Sequence, residues 1–165
     1  MRVFRTIAAS PHTLFQLLAD PGNHAELDGS GMLRGDPIGP HQLRLGDTFT
    51  MGMSQVGKGY RNINQVVELE PYRRIAWRST GTWFGRVVIG GQRWRYILHA
   101  DAAGTLVEHG YVWGYARMPL LSIRPPEFPH RMRPAKERSL ANLAVLAAQQ
   151  QRPGRRLIAD RENRL

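Results

Sequence analysis

The chain has 165 residues, 23 of them Lys or Arg and 13 Asp or Glu, giving a formal net charge of +10. That length suits one ordinary domain with a sizeable core, and no apolar run approaches the ~18 residues of a membrane span. The absence of cysteine removes disulfides, a thiolate nucleophile and Cys-based metal sites. The first residues, Met1-Arg2-Val3-Phe4-Arg5-Thr6-Ile7, alternate rather than form the apolar centre of a signal peptide, so the expected location is the cytoplasm.

Residues 2–8 read as a first strand. Ser10-Pro11 then starts a helix, with Ser as N-cap and Pro at the first helical position. Leu14, Phe15, Leu17 and Leu18 give it an apolar face, and Asp20-Pro21-Gly22 stops it. Asn23 to Leu27 reads as a short helical turn, Asp28-Gly29-Ser30-Gly31 as a tight loop, and Gly35 to Pro40 as a Pro/Gly-rich stretch. The period then changes to two. Phe49, Met51 and Met53 share one face of a strand over Thr48–Ser54, and Gln55 to Gly59 reads as a turn. Tyr60 to Leu69 is a further strand with competing faces, Tyr60/Asn62/Asn64/Val66 against Ile63/Val67/Leu69.

After a turn at Glu70-Pro71-Tyr72, Arg74 to Ser79 is a strand with Ile75 and Trp77 on one side. Thr80 to Gly91 holds Trp83, Phe84 and several glycines, and reads as a mobile connection or a strand end, with Trp83-Phe84 either a lid or packed inward. Gln92 to His99 alternates cleanly: Trp94, Tyr96 and Leu98 against Arg93, Arg95 and Ile97. Asp101-Ala102-Ala103-Gly104 is a hairpin turn. Leu106 to Tyr115 returns with Val107, His109, Tyr111, Trp113 and Tyr115 on one face. A Pro-rich stretch, Arg117 to Pro129, leads to the Ala/Leu-rich run from about His130 to Gln151. Leu140, Leu143, Ala144 and Ala147 form its apolar stripe at helical spacing, and Pro134 falls in or just before its first turn, or kinks it. There is no internal repeat. The expected architecture is α+β, one long C-terminal helix lying across a curved antiparallel sheet, with two short helices after the first strand.

The charge needs locating. Only Lys58 and Lys136 of the 23 basic residues are lysine. Residues 131–165 hold nine basic and three acidic side chains, a net +6 of the total +10. The excess is thus mostly C-terminal. Residues 152–165 read as a basic, flexible tail beyond a domain of residues 1–151. Such a tail could touch RNA or anionic lipid, or stay solvated.

Several stretches together resemble the START-related, Bet v 1-like (SRPBCC) superfamily of helix-grip proteins, and most of all its polyketide cyclase/dehydrase and lipid-transport branch. They are Arg5 to Pro21, His24 to Ser30, Val67 to Trp77, Trp94-Arg95-Tyr96 followed past a Gly turn by Thr105 to Glu108, and the final helix. The resemblance spans residues 2–150 and implies a sheet curled around the long helix with an elongated cavity between them. Members include cyclases, lipid and hormone binders and chaperone cofactors, with no catalytic signature shared by all. It implies a ligand lined by Met51, Met53, Trp77, Trp94, Tyr96, Leu98, His109, Tyr111, Trp113, Leu140 and Leu143.

Read from the residues, the aromatic set suits either plain core packing or a partly polar pocket, because buried Tyr and Trp need hydrogen-bond partners. His109 is the best acid–base candidate and Tyr111 could protonate or orient a carbonyl oxygen; the plainer alternative is a histidine bonded within its strand pair. His24, Glu26 and Asp28 lie close in sequence, yet the chain supplies no matching histidine pair, and no metal is expected. No phosphate loop or nucleophile elbow occurs, so no nucleotide cofactor is expected. Alternation puts Arg93 and Arg95 opposite Trp94 and Tyr96, which argues against a base-stacking platform for nucleic acid. The expectation is a monomer or homodimer that binds a small, largely apolar ligand. A cofactor-independent polyketide cyclase/aromatase is the alternative, and a tail-borne RNA or lipid contact the third reading.

Overall fold

The computed structural model describes residues 1–55, 58–83, 86–112 and 128–151; within these, only the backbone is described at 55, 58–60, 81–83, 86–89 and 128–131. β1 (Arg2–Ile7) is followed by α1 (Pro11–Ala19), a 3-10 turn (Pro21–Asn23) and α2 (His24–Leu27). Then come β2 (Leu33–Ile38), β3 (Thr48–Gln55), β4 (Lys58–Glu70), β5 (Arg74–Trp83), β6 (Arg86–Asp101), β7 (Gly104–Val112) and α3 (Phe128–Gln151). The strands form one curved antiparallel sheet in the order β1-β7-β6-β5-β4-β3-β2. Consecutive hairpins run from β2 to β7, and β1 pairs with β7.

α1 starts where its cap dictates. The Ser10 hydroxyl accepts from the Thr13 amide at 3.1 Å, and Pro11 stands where no amide partner is needed. Leu14, Phe15, Leu17 and Leu18 are all buried. Asp20 both ends α1 and caps the next turn, its carboxylate accepting from the Gly22 amide at 2.8 Å.

α3 lies over the sheet with Leu140, Leu143 and Ala147 in the same apolar core as Phe49, Met51, Ile75 and Val107. Each fully buried leucine of that stripe contributes roughly 2 kcal/mol. Pro134 sits inside the helix rather than before it. Its ring lacks the amide that would bond back, so one carbonyl of the preceding turn loses its usual donor.

The sheet departs from the sequence reading in three places. The Pro/Gly-rich stretch is partly a strand: β2 pairs with β3 through Leu33↔Met53 and Arg34↔Gly52, then slips before Ile38↔Thr50. Thr80 to Gly91 follows the strand-end reading, and further than expected. β5 runs on to Trp83 and β6 begins at Arg86, with Gly91 left unpaired between Ser79↔Gln92 and Thr80↔Gly90. Gly90 and Gly91 have φ of 131° and 102°, a conformation open to glycine, so the pair forms a bulge inside a strand. The ambiguity of β4 has the same origin. Val66 faces Trp77 and Glu68 faces Ala76, so Val67 is the extra residue of a bulge. Asn64 and Val66 point inward before it; Leu69, opposite the buried Ile75, points inward after it. The inner face thus follows Asn64 and Val66 up to the bulge and Leu69 beyond it.

Of the expected 55–59 turn, Gln55, Lys58 and Gly59 belong to paired strands, since Gln55 pairs with Lys58 and Ser54 with Gly59. Residues 56–57, Phe84, Gly85, Trp113, Tyr115, the Pro-rich stretch up to residue 127 and the 152–165 tail lie outside the described residues.

Candidate functional site

Strand pairing sets the site. Across the inner face one rung reads Val66, Trp77, Trp94, Tyr111; the next reads Leu69, Ile75, Tyr96, His109, Val3. Period-two alternation therefore stacks aromatic and imidazole rings beside one another on three adjacent strands. Tyr96 lies against His109 with centroids 4.0 Å apart and planes at 16°. Trp94 meets Tyr111 at 4.7 Å, and Trp77 meets Tyr96 at 5.8 Å.

The polar atoms of this face are largely accounted for. The Trp94 indole N–H donates to Ser79 Oγ at 3.0 Å, and Ser79 donates to Asn64 Oδ1 at 2.6 Å. Asn64 and Ser79, which sequence reasoning did not single out, are both buried and form this relay.

A more consequential omission is Lys136. It projects from α3 onto the ring ladder and is 1% exposed. Its Nζ lies 3.1 Å from His109 Nε2, 4.6 Å from the centre of the Trp94 ring and 5.3 Å from that of Tyr111. No acidic group forms an ion pair with it among the described residues. The rings supply part of the missing counter-charge through their π faces. Burial still brings the Lys136 ammonium down to about 7. Burial first, and the Lys136 charge second, hold His109 well below the usual imidazole range, so it is neutral at pH 7. Its Nδ1 has no hydrogen-bond partner among the described residues. Burial pushes the Tyr111 phenol up to about 12. Tyr96 is raised by burial, and further by the nearby Asp28 carboxylate. Both phenols therefore keep their protons at neutral pH.

Sequence held a signal for Lys136. The α3 stripe Leu140, Leu143, Ala147 extends one turn backward onto position 136, giving i, i+4, i+7 and i+11 on one face. Composition counts that residue only as charge, whereas the stripe places it inward.

The expected lining residues divide into two groups. Trp94, Tyr96, His109 and Tyr111 gather under Lys136. Met51, Leu98, Leu140 and Leu143 are buried in the apolar core, with Trp77 half-buried against it. Met53 is half-buried next to the β2 edge, and Trp113 lies outside the described residues. Arg95, on the opposite face from Trp94 and Tyr96, binds Glu68 at 2.9 Å.

His24, Glu26 and Asp28 do not converge. His24 is buried, donating from Nε2 to the Leu18 carbonyl at 2.9 Å and stacking on Trp77 at 4.8 Å. Glu26 is exposed. Asp28 accepts from the Ser30 amide and hydroxyl and from the Met32 and Leu33 amides, which builds the loop. No metal-holding group of His, Cys, Asp or Glu occurs among the described residues. A groove of about 800 Å³ lies elsewhere, at the β4–β5 turn, lined by Tyr72, Arg73 and His99 among others. Of the expected lining residues it touches only Leu98. Neither Lys136 nor His109 is among the residues that line it.

No described helix is long and apolar enough to cross a membrane. No family model matches the chain. It is 36% identical over 97 residues to uncharacterized protein Rv0088 of Mycobacterium tuberculosis, covering 58% of this chain and 39% of that protein. It is 42% identical over 72 residues to uncharacterized protein MT0096 of the same species, covering 42% of this chain and 32% of that one. The chain thus spans less than half the length of the curated relatives it matches. Among solved structures, protein CV1439 from Chromobacterium violaceum superposes with a TM-score of 0.65 at 18% identity, covering 89% of this chain and 96% of that one. Protein Ms6760 from Mycobacterium smegmatis gives 0.68 at 13% identity, covering 91% of each chain. The AHSA1 protein from Silicibacter pomeroyi gives 0.66 at 18%, covering 92% and 99%. At such identities the likeness is one of architecture, and the chain shares with them an α+β, helix-grip-like fold.

Proposed function

We propose that residues 1–151 form a START-related, Bet v 1-like domain that binds a small, largely apolar ligand between α3 and the aromatic face of β5–β7. The observation that carries this reading is the cluster of Trp94, Tyr96, His109 and Tyr111 beneath Lys136. A dry core needs neither a buried amine nor an imidazole, and each is costly to bury without a purpose. The rings offer flat apolar area, and the amine, imidazole and phenols offer the few oriented polar groups that fix a ligand's position. An aromatic, polyketide-like or lipid-like molecule with one oxygenated end fits that chemistry.

A second reading has its own support. Tyr111 and Tyr96 stay protonated at neutral pH and can donate to a carbonyl or enolate oxygen, while neutral His109 can accept a proton. That pairing would serve a cofactor-independent cyclase or aromatase acting on a poly-β-ketone.

Native mass spectrometry of the freshly purified protein tests the binding reading. A hydrophobic molecule retained at near one-to-one stoichiometry is the expected result. An empty protein whose tryptophan fluorescence ignores aromatic polyketides, sterols and fatty acids alike would return the cluster to plain packing.

A further inference from the structure

Lysines normally lay their methylene stems on apolar surface and keep the ammonium in water. Lys136 does the reverse. Its amine end sits among Trp94, Tyr111 and His109, and the whole residue is 1% exposed. A purely structural buried lysine would be expected to sit against a carboxylate. Among the described residues this one has an imidazole instead.

We propose that Lys136 is an amine nucleophile that captures a carbonyl carbon of the ligand as an imine, with His109 moving the protons, and that the ligands taken are flat, apolar ketones of the β-diketone type. This inference rests on the binding reading above and names its substrate class.

Each part has a physical basis on the molecule. The amine is lowered to about 7 by burial, so near neutral pH a large share of molecules carries a free lone pair. His109 Nε2 is already at hydrogen-bond distance from the reacting nitrogen, at 3.1 Å. His109 Nδ1 has no partner among the described residues, which leaves the imidazole a second nitrogen with which to exchange a proton with the ligand. Tyr96, stacked at 4.0 Å on that imidazole, fixes its plane. Trp94 and Tyr111 flank the amine with apolar area that favours a flat ligand over a small polar aldehyde.

The steps balance without a redox partner. The Nζ lone pair attacks the carbonyl carbon, and the carbonyl π pair moves onto oxygen. One N–H proton passes to His109 and from there to that oxygen, giving a carbinolamine. The second N–H proton then passes to His109 and from there to the hydroxyl, which leaves as water as the nitrogen pair forms the C=N bond of a neutral imine. With a β-diketone, His109 takes a proton from the carbon between the carbonyls and returns it to the imine nitrogen, giving an enaminone. The sum is amine plus ketone to enaminone plus water.

The test uses the full chain and 1-(2-naphthyl)butane-1,3-dione. Tryptophan quenching reads binding, and intact mass reads an adduct equal to the diketone minus water. Peptide mapping is simple, because the chain has only Lys58, Lys136 and its amino terminus as primary amines. The expected result is quenching plus one adduct on Lys136, absent in Lys136→Met and kept in Lys58→Arg. His109→Gln should bind the diketone but form the adduct at least tenfold more slowly. Quenching without an adduct, or labelling of Lys58 and the amino terminus as fast as Lys136, overturns the inference and leaves the binding reading standing. Neither quenching nor adduct removes both. Should Lys136→Met not fold, the ratio of Lys136 to Lys58 labelling in the unaltered chain decides.

Discussion

Two histidines of this molecule look alike until their nitrogens are compared. His24 and His109 are both buried, and both are held below the usual imidazole range chiefly by that burial. Both stack on an aromatic ring, His24 on Trp77 at 22° and His109 on Tyr96 at 16°. Yet His24 donates to the Leu18 carbonyl, one of those left over in the last turn of α1. That histidine finishes a helix. His109 meets the Lys136 amine on one side and has no partner on the other among the described residues. Burial and stacking are thus common to the two imidazoles, and the partner is what differs. The same contrast runs along α3, whose later turns bury Leu140, Leu143 and Ala147 and whose earlier turn buries a cation.

Replacing the cation should have the largest effect. The folded Lys136 amine titrates near 7 against an ordinary 10.5. Between those values the unfolded chain holds a proton that the folded chain has lost, so wild-type stability rises with pH across that window. Below it the cost of the buried charge is present in full. Lys136→Met should thus be more stable than wild type by on the order of 4 kcal/mol at about pH 6, the two converging above about pH 10.5. Urea unfolding of both proteins at the two pH extremes measures this, and equal midpoints at low pH would erase the contrast between the ends of α3.

The packed end should respond in the opposite direction. Leu143→Ala, in the core, is expected to lose about 3 kcal/mol at any pH, since it removes apolar contacts and leaves a cavity. A much smaller loss would mean this turn of α3 is as loosely filled as a ligand site. Third, His24→Ala should cost about 2 kcal/mol, through a lost helix-end bond and lost packing. His109→Gln should cost under about 1 kcal/mol, because its one hydrogen bond can be remade by the amide. Thermal melts of the pair rank them, and a reversed order would exchange their roles. Smallest, Ser10→Ala should cost about 1 kcal/mol by leaving the Thr13 amide uncapped. It lies in neither buried cluster and calibrates the others.

What the sequence made legible was local. Ser10-Pro11 announces a helix in two residues, and the alternation of Trp94, Tyr96 and Leu98 against Arg93, Arg95 and Ile97 announces a strand with an inner face. Those signals repeat within a few residues and survive tertiary context. What failed depended on distant partners. β2 is a strand only because β3 offers its edge, so its own Gly35 and Pro37 hid it. The β4 bulge reverses the inner parity at Val67, which no single period can describe. His109 and Tyr111 were nameable as candidates from their strand. For Lys136 the helical stripe gave its inward face, but not its partner, an imidazole 27 positions earlier in the chain.

Gly29 gives the site a gauge. Its amide donates to Ser139 Oγ at 3.0 Å and its carbonyl accepts from Arg138 Nε at 2.8 Å. A methyl group there would collide with the Ala135 carbonyl oxygen and with the backbone at Ser139. The loop built by Asp28 is thereby clamped to the stretch of α3 that carries Lys136. A helix advances ~1.5 Å per residue, so the clamp also sets where along the sheet the amine stands, 3.1 Å from His109. The smallest residue in the chain thus acts as a calibration stop for a buried amine. Enlarging it would detune the amine without touching it, and variation at this position would be a hidden adjustment of chemistry written far away in the sequence.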